Sequence, residues 1–309
     1  MSRTNSPLVG LTPRMFAVGC AALLASACSS SSSPLSPDQQ RAPKAPSVAD
    51  FVYASDAAGT PQIYWSHNGT STRLTFDNST DNNPKSAAGR LVFTSYRDND
   101  PEIYISGLDG SAQTRLTHSA GLDDEAAIDP TGTHIVFVSA RDGVPRLFTM
   151  DVSGANQTAL TTGSATWVPE RAPVFSPDGS QIAFVSTRSN LPQVWVMPAA
   201  GGQAVQLTHE TGGAVDPAWS ADGTQLVFVS ATGTPYLREV TIATGETVDF
   251  ASDNVAIGQP SCNASMCLAV SGAYGGTGSV VSMSTSGGSM SPVSTGKKGS
   301  VTSPSFVQR

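Results

Sequence analysis

Few of the residues able to do chemistry in this chain stand where a reaction would need them. His118 and His209 each follow a Leu-Thr pair directly, so they occupy equivalent places in a repeating pattern and could together hold a divalent metal. A catalytic metal site usually takes three protein ligands, and the matching positions here carry Phe76 and Thr162. The two are read as surface-loop histidines first and metal ligands second. Asp77, Ser79 and Asp81 have the alternate spacing that opens a calcium loop. However, Asn82 stands where the sharp turn needs glycine, and Ala88 where the closing glutamate belongs. Cys262 and Cys267 enclose four residues, a spacing suited to a disulfide across a hairpin turn; a tetrahedral metal site would need a second cysteine pair. Arg97, Arg141 and Arg188 each follow a repeated serine by two residues, and this repetition favours a bracing role over a ligand face. No G-x-S-x-G, HExxH or complete P-loop sequence occurs, because the run Thr295 to Ser300 lacks the leading glycine. No catalytic residue is assigned, and no cofactor is expected.

The elements that hold these residues are legible in composition and repetition. The chain has 309 residues, 39% hydrophobic and 13% charged, with 29 Gly and 21 Pro, a balance that suits turn-rich β structure. A formal net charge of -7 offers no basic surface to offset phosphate repulsion, so nucleic acid is not an expected partner.

Arg3 and Arg14 precede the apolar run Met15 to Leu24, and no acidic residue occurs before Asp38, the pattern of an export signal. The run is shorter than the roughly 20 residues that span a bilayer. It ends in Leu24-Ala25-Ser26-Ala27-Cys28, which resembles the lipobox of bacterial lipoproteins, with Ala25 where leucine is usual. The resemblance implies a signal peptide over residues 1–27, lipidation of Cys28 and attachment to a membrane. Ser29 after Cys28 resembles lipoproteins sent to the outer membrane, facing the periplasm. Loss of residues 1–27 removes two arginines and no acid, leaving 15 basic against 24 acidic residues, a net charge of -9. Residues 28–50 read as a Ser/Pro-rich linker too polar to repay its ordering entropy; a coil of that length spans roughly 25 Å.

From residue 51 to 309 the chain repeats. An aromatic residue followed two positions later by serine recurs as Tyr53/Ser55, Phe93/Ser95, Phe137/Ser139, Phe184/Ser186 and Phe228/Ser230, with Ala269/Ser271 as a degenerate sixth. From Phe93 onward the spacings are 44, 47 and 44 residues, and a second aromatic stands 11 positions later in the first four copies, at Tyr64, Tyr104, Phe148 and Trp195. Short apolar stretches between Asp-Gly, Asn-Gly and Pro signals mark strands joined by tight hairpins. Four such strands per copy of about 40–45 residues match a propeller blade. The first copy lacks the leading Pro-x-aromatic-Ser strand, and Ser303 to Phe306 at the C-terminus can supply it. The expected fold is all-β: a six-bladed β-propeller of four-stranded antiparallel blades, the first blade closed by the C-terminal strand.

The best-preserved copy, Pro173 to Thr208, is similar to the WD-like repeat of TolB-type propellers, as is Pro217 to Ser230. The resemblance implies a non-catalytic, monomeric envelope scaffold that binds a protein or peptide partner. The separate N-terminal domain of TolB has no counterpart in the expected organisation, where only the linker precedes the first blade. Asn83, Glu125, Arg171, Asp216 and Gln259, just ahead of each opening strand, are expected to ring the channel mouth. Their differing chemistry suits an asymmetric ligand, and unselected loop drift would look the same. Two alternatives remain: a metal-dependent saccharide lyase or lactonase-like enzyme using His118 and His209, and a carbohydrate-binding lipoprotein.

Overall fold

The computed structural model describes residues 50–162, 168–251, 255–272 and 278–308. The signal peptide, Cys28 and the linker up to residue 49 lie outside the described residues. The described residues hold 24 strands and no helix, arranged as six four-stranded antiparallel sheets. Blades are numbered from the one containing Phe51.

The repeated aromatics explain why these sheets stack as blades. Tyr53, Phe93, Phe137, Phe184 and Phe228 are all fully buried, and so is Ala269. Each sits in the second strand of its blade, where runs such as Leu91 to Ser95 and Ile135 to Ser139 are buried without alternation. Neighbouring blades cover both faces, so the strand reads as a continuous apolar run. The second aromatic lies directly opposite on the third strand: Tyr53 faces Tyr64, Phe93 faces Tyr104, Phe137 faces Phe148 and Phe184 faces Trp195. In the first three blades the ring centroids are 5.5, 5.8 and 5.9 Å apart, within the range of favourable aromatic pairing. The 11-residue offset is thus the length of one hairpin.

The turns follow the predicted chemistry. At Asp178-Gly179, glycine takes φ 73°, and the Asp178 carboxylate accepts from the Ser180 amide at 3.0 Å, an arrangement that tolerates few other residue pairs.

The ring closes through its ends. Strand Val301–Phe306 pairs antiparallel with Phe51–Ser55, placing Phe51 opposite Phe306 and Ser55 opposite Val301. The Phe306 amide also donates to Ser261 Oγ of the sixth blade at 3.1 Å. Closure removes the two free sheet edges an open array would expose.

The innermost strands, from first blade to sixth, are Val301–Phe306, Asp81–Ala87, Asp123–Ile128, Glu170–Phe175, Ala214–Trp219 and Ile257–Cys262. All run the same way, so their first residues share a leading face and their last a trailing face. Phe175 and Trp219 are the last residues of their strands. Trp219 is buried and donates its indole N–H to the Val174 carbonyl at 3.1 Å, joining the fifth blade to the fourth.

Candidate binding site in the central channel

Each innermost strand is bent at its third residue. Ser303, Asn83, Glu125, Ala172, Asp216 and Gln259 have φ of 50°, 51°, 53°, 50°, 51° and 55°, and the pairing with the second strand slips at each of these points. Such a bulge re-aims a side chain. In five blades the next residue is proline (Pro304, Pro84, Pro173, Pro217 and Pro260), which has no N–H to lose where the ladder is already broken.

The six bulge residues line one cavity of about 110 Å³ at the channel waist. The structure therefore brings together Asn83, Glu125, Asp216 and Gln259, inside the strands and not ahead of them. Arg171 stands one residue before the equivalent position and is exposed; Ala172 lines the waist in its place, and Ser303 completes the ring. Both missed positions carry the signal shared by most of the others, a residue directly preceding proline.

These side chains link blade to blade. Glu125 Oε2 accepts from the Ala172 amide at 2.7 Å, Asp216 Oδ2 from the Gln259 amide at 3.1 Å and Gln259 Oε1 from the Ser303 amide at 2.8 Å. Ser303 Oγ then donates to Asn83 Oδ1 at 3.0 Å, and Asn83 Nδ2 to Asp124 at 2.9 Å. The belt is interrupted at Ala172, whose methyl group offers nothing to the fifth blade.

The waist also concentrates charge. Glu125 is enclosed without being sealed from the cavity; burial, reinforced by Asp124, pushes its carboxyl up to about 7 against the pull of the Ala172 amide and Arg171. Burial likewise raises Asp216, opposed by the Gln259 amide and by Lys85. Lys85, two residues beyond the bulge of the second blade, is pushed down by burial and held up by Asp216 and Glu125.

A family model described as the TolB beta propeller domain matches residues 86–171, and one described as the Tricorn protease N-terminal beta propeller domain matches residues 132–266. The chain carries TolB-like propeller repeats. Among solved structures, TolB from Acinetobacter baumannii superposes with a TM-score of 0.70 at 20% identity, covering 84% of this chain and 67% of that one. The Nidogen/Laminin Complex gives 0.62 at 13% identity, covering 83% and 97%. Oligogalacturonate lyase in complex with manganese gives 0.57 at 16% identity, covering 80% and 74%. No curated protein sequence matches the chain. These likenesses show the fold, which serves binding proteins and enzymes alike.

In this TolB-like propeller the repeated arginines act as clamps. Arg97, Arg141 and Arg188 each donate Nε to the serine two residues earlier, at 2.7, 2.8 and 2.9 Å. Each also pairs with the acid that opens the innermost strand of its own blade, namely Asp81, Asp123 and Glu170, and lies over the blade's two aromatic rings. Gln113 and Gln157 extend two of the clamps to the preceding blade by donating to the Leu74 and Leu116 carbonyls. Asp77 and Asp81, the start of the calcium-like spacing, are both partners of Arg97.

His118 and His209 are exposed on the leading face, in loops leaving the second and fourth blades with the third between them. Among the described residues no three His, Cys, Asp or Glu side chains form a metal-sized group. Cys262 and Cys267 are joined by a disulfide across the first hairpin of the sixth blade.

Proposed function

We propose that this chain is a non-catalytic, lipid-anchored envelope protein whose TolB-like propeller binds a protein or peptide partner at the leading face of its channel. The observation that carries the reading is the convergence of Asn83, Glu125, Asp216 and Gln259 on one waist. Exposed Arg171 and Tyr96, the latter in the field of Asp124 and Glu125, stand beside it. Rigid blades hold these unlike groups in fixed positions, the pre-organisation that makes polar recognition specific. Anchoring through Cys28 would place the propeller within a linker's reach of the membrane, with the outer membrane facing the periplasm as the proposed location.

The test is co-purification from detergent-solubilised envelopes. The wild-type chain should retain one defined partner that Arg171→Glu and Tyr96→Ala, both at exposed positions, release. Equal recovery of the same proteins by all three would contradict the reading. Cys28→Ala should move the protein to the soluble fraction, and persistent membrane attachment would remove the anchor from the proposal.

The rival reading, divalent-metal saccharide chemistry through His118 and His209, draws on oligogalacturonate lyases among the structural neighbours, one of them in complex with manganese. Metal analysis after loading with manganese, calcium or zinc separates the two, since a stoichiometric ion lost in His118→Ala would favour the enzyme.

A further inference from the structure

The trailing face holds a second cavity, of about 350 Å³, that the partner-binding reading does not use. Its wall is built from the ends of the innermost strands, with Phe175, Trp219 and Phe306 as its aromatic residues, and from hairpin residues such as Pro130, Pro177 and Ala221. Trp219 has its indole N–H committed to Val174, so what it can offer the cavity is hydrocarbon. Among the lining residues one is charged, Lys85, which is shared with the waist.

Lys85 is the odd residue of its layer. The fifth positions of the other innermost strands are Ala127, Val174, Ala218, Ser261 and Ser305, all small or apolar. A lone lysine among them is not explained by packing, because alanine or serine fills the same place in four blades. Lys85 makes no hydrogen bond or ion pair with a described residue; its interactions are the longer-range fields of Asp216 and Glu125, which line the waist and not this cavity. An ammonium so enclosed lacks the direct acceptors that offset its desolvation.

We propose that the trailing cavity binds a small aromatic monocarboxylate, whose carboxylate meets Lys85 Nζ and whose ring packs against Phe175 and Trp219 on the adjacent fourth and fifth blades. The volume falls in the range of about 300–1,000 Å³ common to small-molecule sites, and the wall mixes the apolar residues with polar ones, Ser86, Ser261, Asn263 and Gln308 among them. The ligand carboxylate supplies the acceptor Lys85 lacks, and a charge-assisted contact of this kind is stronger than a neutral one. Burial, which lowers the lysine in the free protein, is then opposed by a direct counter-ion, so binding also returns Lys85 toward its ordinary value. The site goes beyond the partner-binding reading: it shares Lys85 with the waist, while its aromatic residues and hairpin rim belong to the trailing face alone.

The test uses the full mature chain and 3-phenylpropionate, its primary amide and 3-phenylpropylamine, followed by calorimetry and by the fluorescence of the tryptophans. The acid should bind, with the amide and the amine each at least about tenfold weaker. Lys85→Met should lower affinity for the acid at least about tenfold while still unfolding in one cooperative transition, which shows that the variant is folded. If Lys85→Met fails to fold, Ala221→Trp, at an exposed hairpin position of the rim, should produce the same loss without touching the lysine. Equal binding of acid and amide, unchanged binding by both variants, or no response up to about 10 mM acid would overturn the proposal. A tetrapeptide ending in phenylalanine that binds tighter than the free acid would overturn the small-ligand assignment in favour of peptide C-termini.

Discussion

The second, third and fourth blades differ from the fifth, sixth and first in how the same fold position is held. In the first group the innermost strand opens with a buried acid, Asp81, Asp123 or Glu170, gripped by Arg97, Arg141 or Arg188. In the second it opens with Ala214, Ile257 or Val301, also buried and needing no partner. These blades are secured in other ways: the fifth by an Arg238–Glu210 pair at 2.6 Å from different positions, the sixth by the disulfide, the first by the C-terminal strand. A charged clamp is therefore one of several solutions to a single packing problem. A clamp makes a blade dependent on both partners, because removing one leaves the other charge buried and unpaired.

Exchanging features between the two groups sharpens that contrast. The largest effect is expected for Phe137→Ala, which gives the third blade the small residue that the sixth carries at Ala269. The cavity left by a fully buried ring should cost about 3–5 kcal/mol in urea unfolding. A loss below about 1 kcal/mol would mean that blades are held by their clamps and not by their aromatics.

Next comes Arg141→Met, which strands the Asp123 carboxylate in the interior and should cost about 3 kcal/mol. Adding Asp123→Ala, the fifth blade's solution, should recover most of that loss. If the double variant is no better than the single one, the clamp contributes something beyond pairing its own charge.

Replacing both Cys262 and Cys267 by serine should remove about 2 kcal/mol, the loop entropy of so short a bridge. The loss should appear as a lower urea midpoint.

Glu125→Gln converts the third blade's waist residue into the type found at Gln259 while keeping an acceptor for the Ala172 amide. Because burial raises the Glu125 carboxyl from 4.5 to about 7, the wild type holds its full stability below about pH 4.5 and loses it as pH rises through about 7. The variant should therefore gain about 3 kcal/mol over wild type at pH 8 and almost nothing at pH 4. A constant difference across that range would show that Glu125 titrates normally.

Much of this architecture can be read from the chain because a blade is a local unit: its aromatic spacing, hairpin signals and terminal strand lie within one repeat or at the two ends. The clamps are legible as repetition, since Arg97, Arg141 and Arg188 keep a fixed distance from serine, but their acid partners lie up to 18 residues away, outside any local pattern. The waist was only partly legible. Its six bulge residues share a backbone angle and no side-chain type, so Arg171 looks as suited to the waist as Ala172, and only the proline that follows Ala172 marks the residue that lines it. Lys85 gave no local signal. Its isolation emerges only when the fifth residues of six innermost strands, scattered over 220 positions from Lys85 to Ser305, meet in one layer.

On the proposed function, the leading face of the channel is a recognition surface and not merely the place where blades are laced together. Site-specific photo-crosslinking in intact cells tests it most directly, with a photoreactive residue at exposed Tyr96 beside the waist or at exposed Val248 on the outer rim of the fifth blade. A single discrete adduct from position 96 that is absent from position 248 is the predicted result; no adduct from 96, or the same adducts from both, would contradict the account.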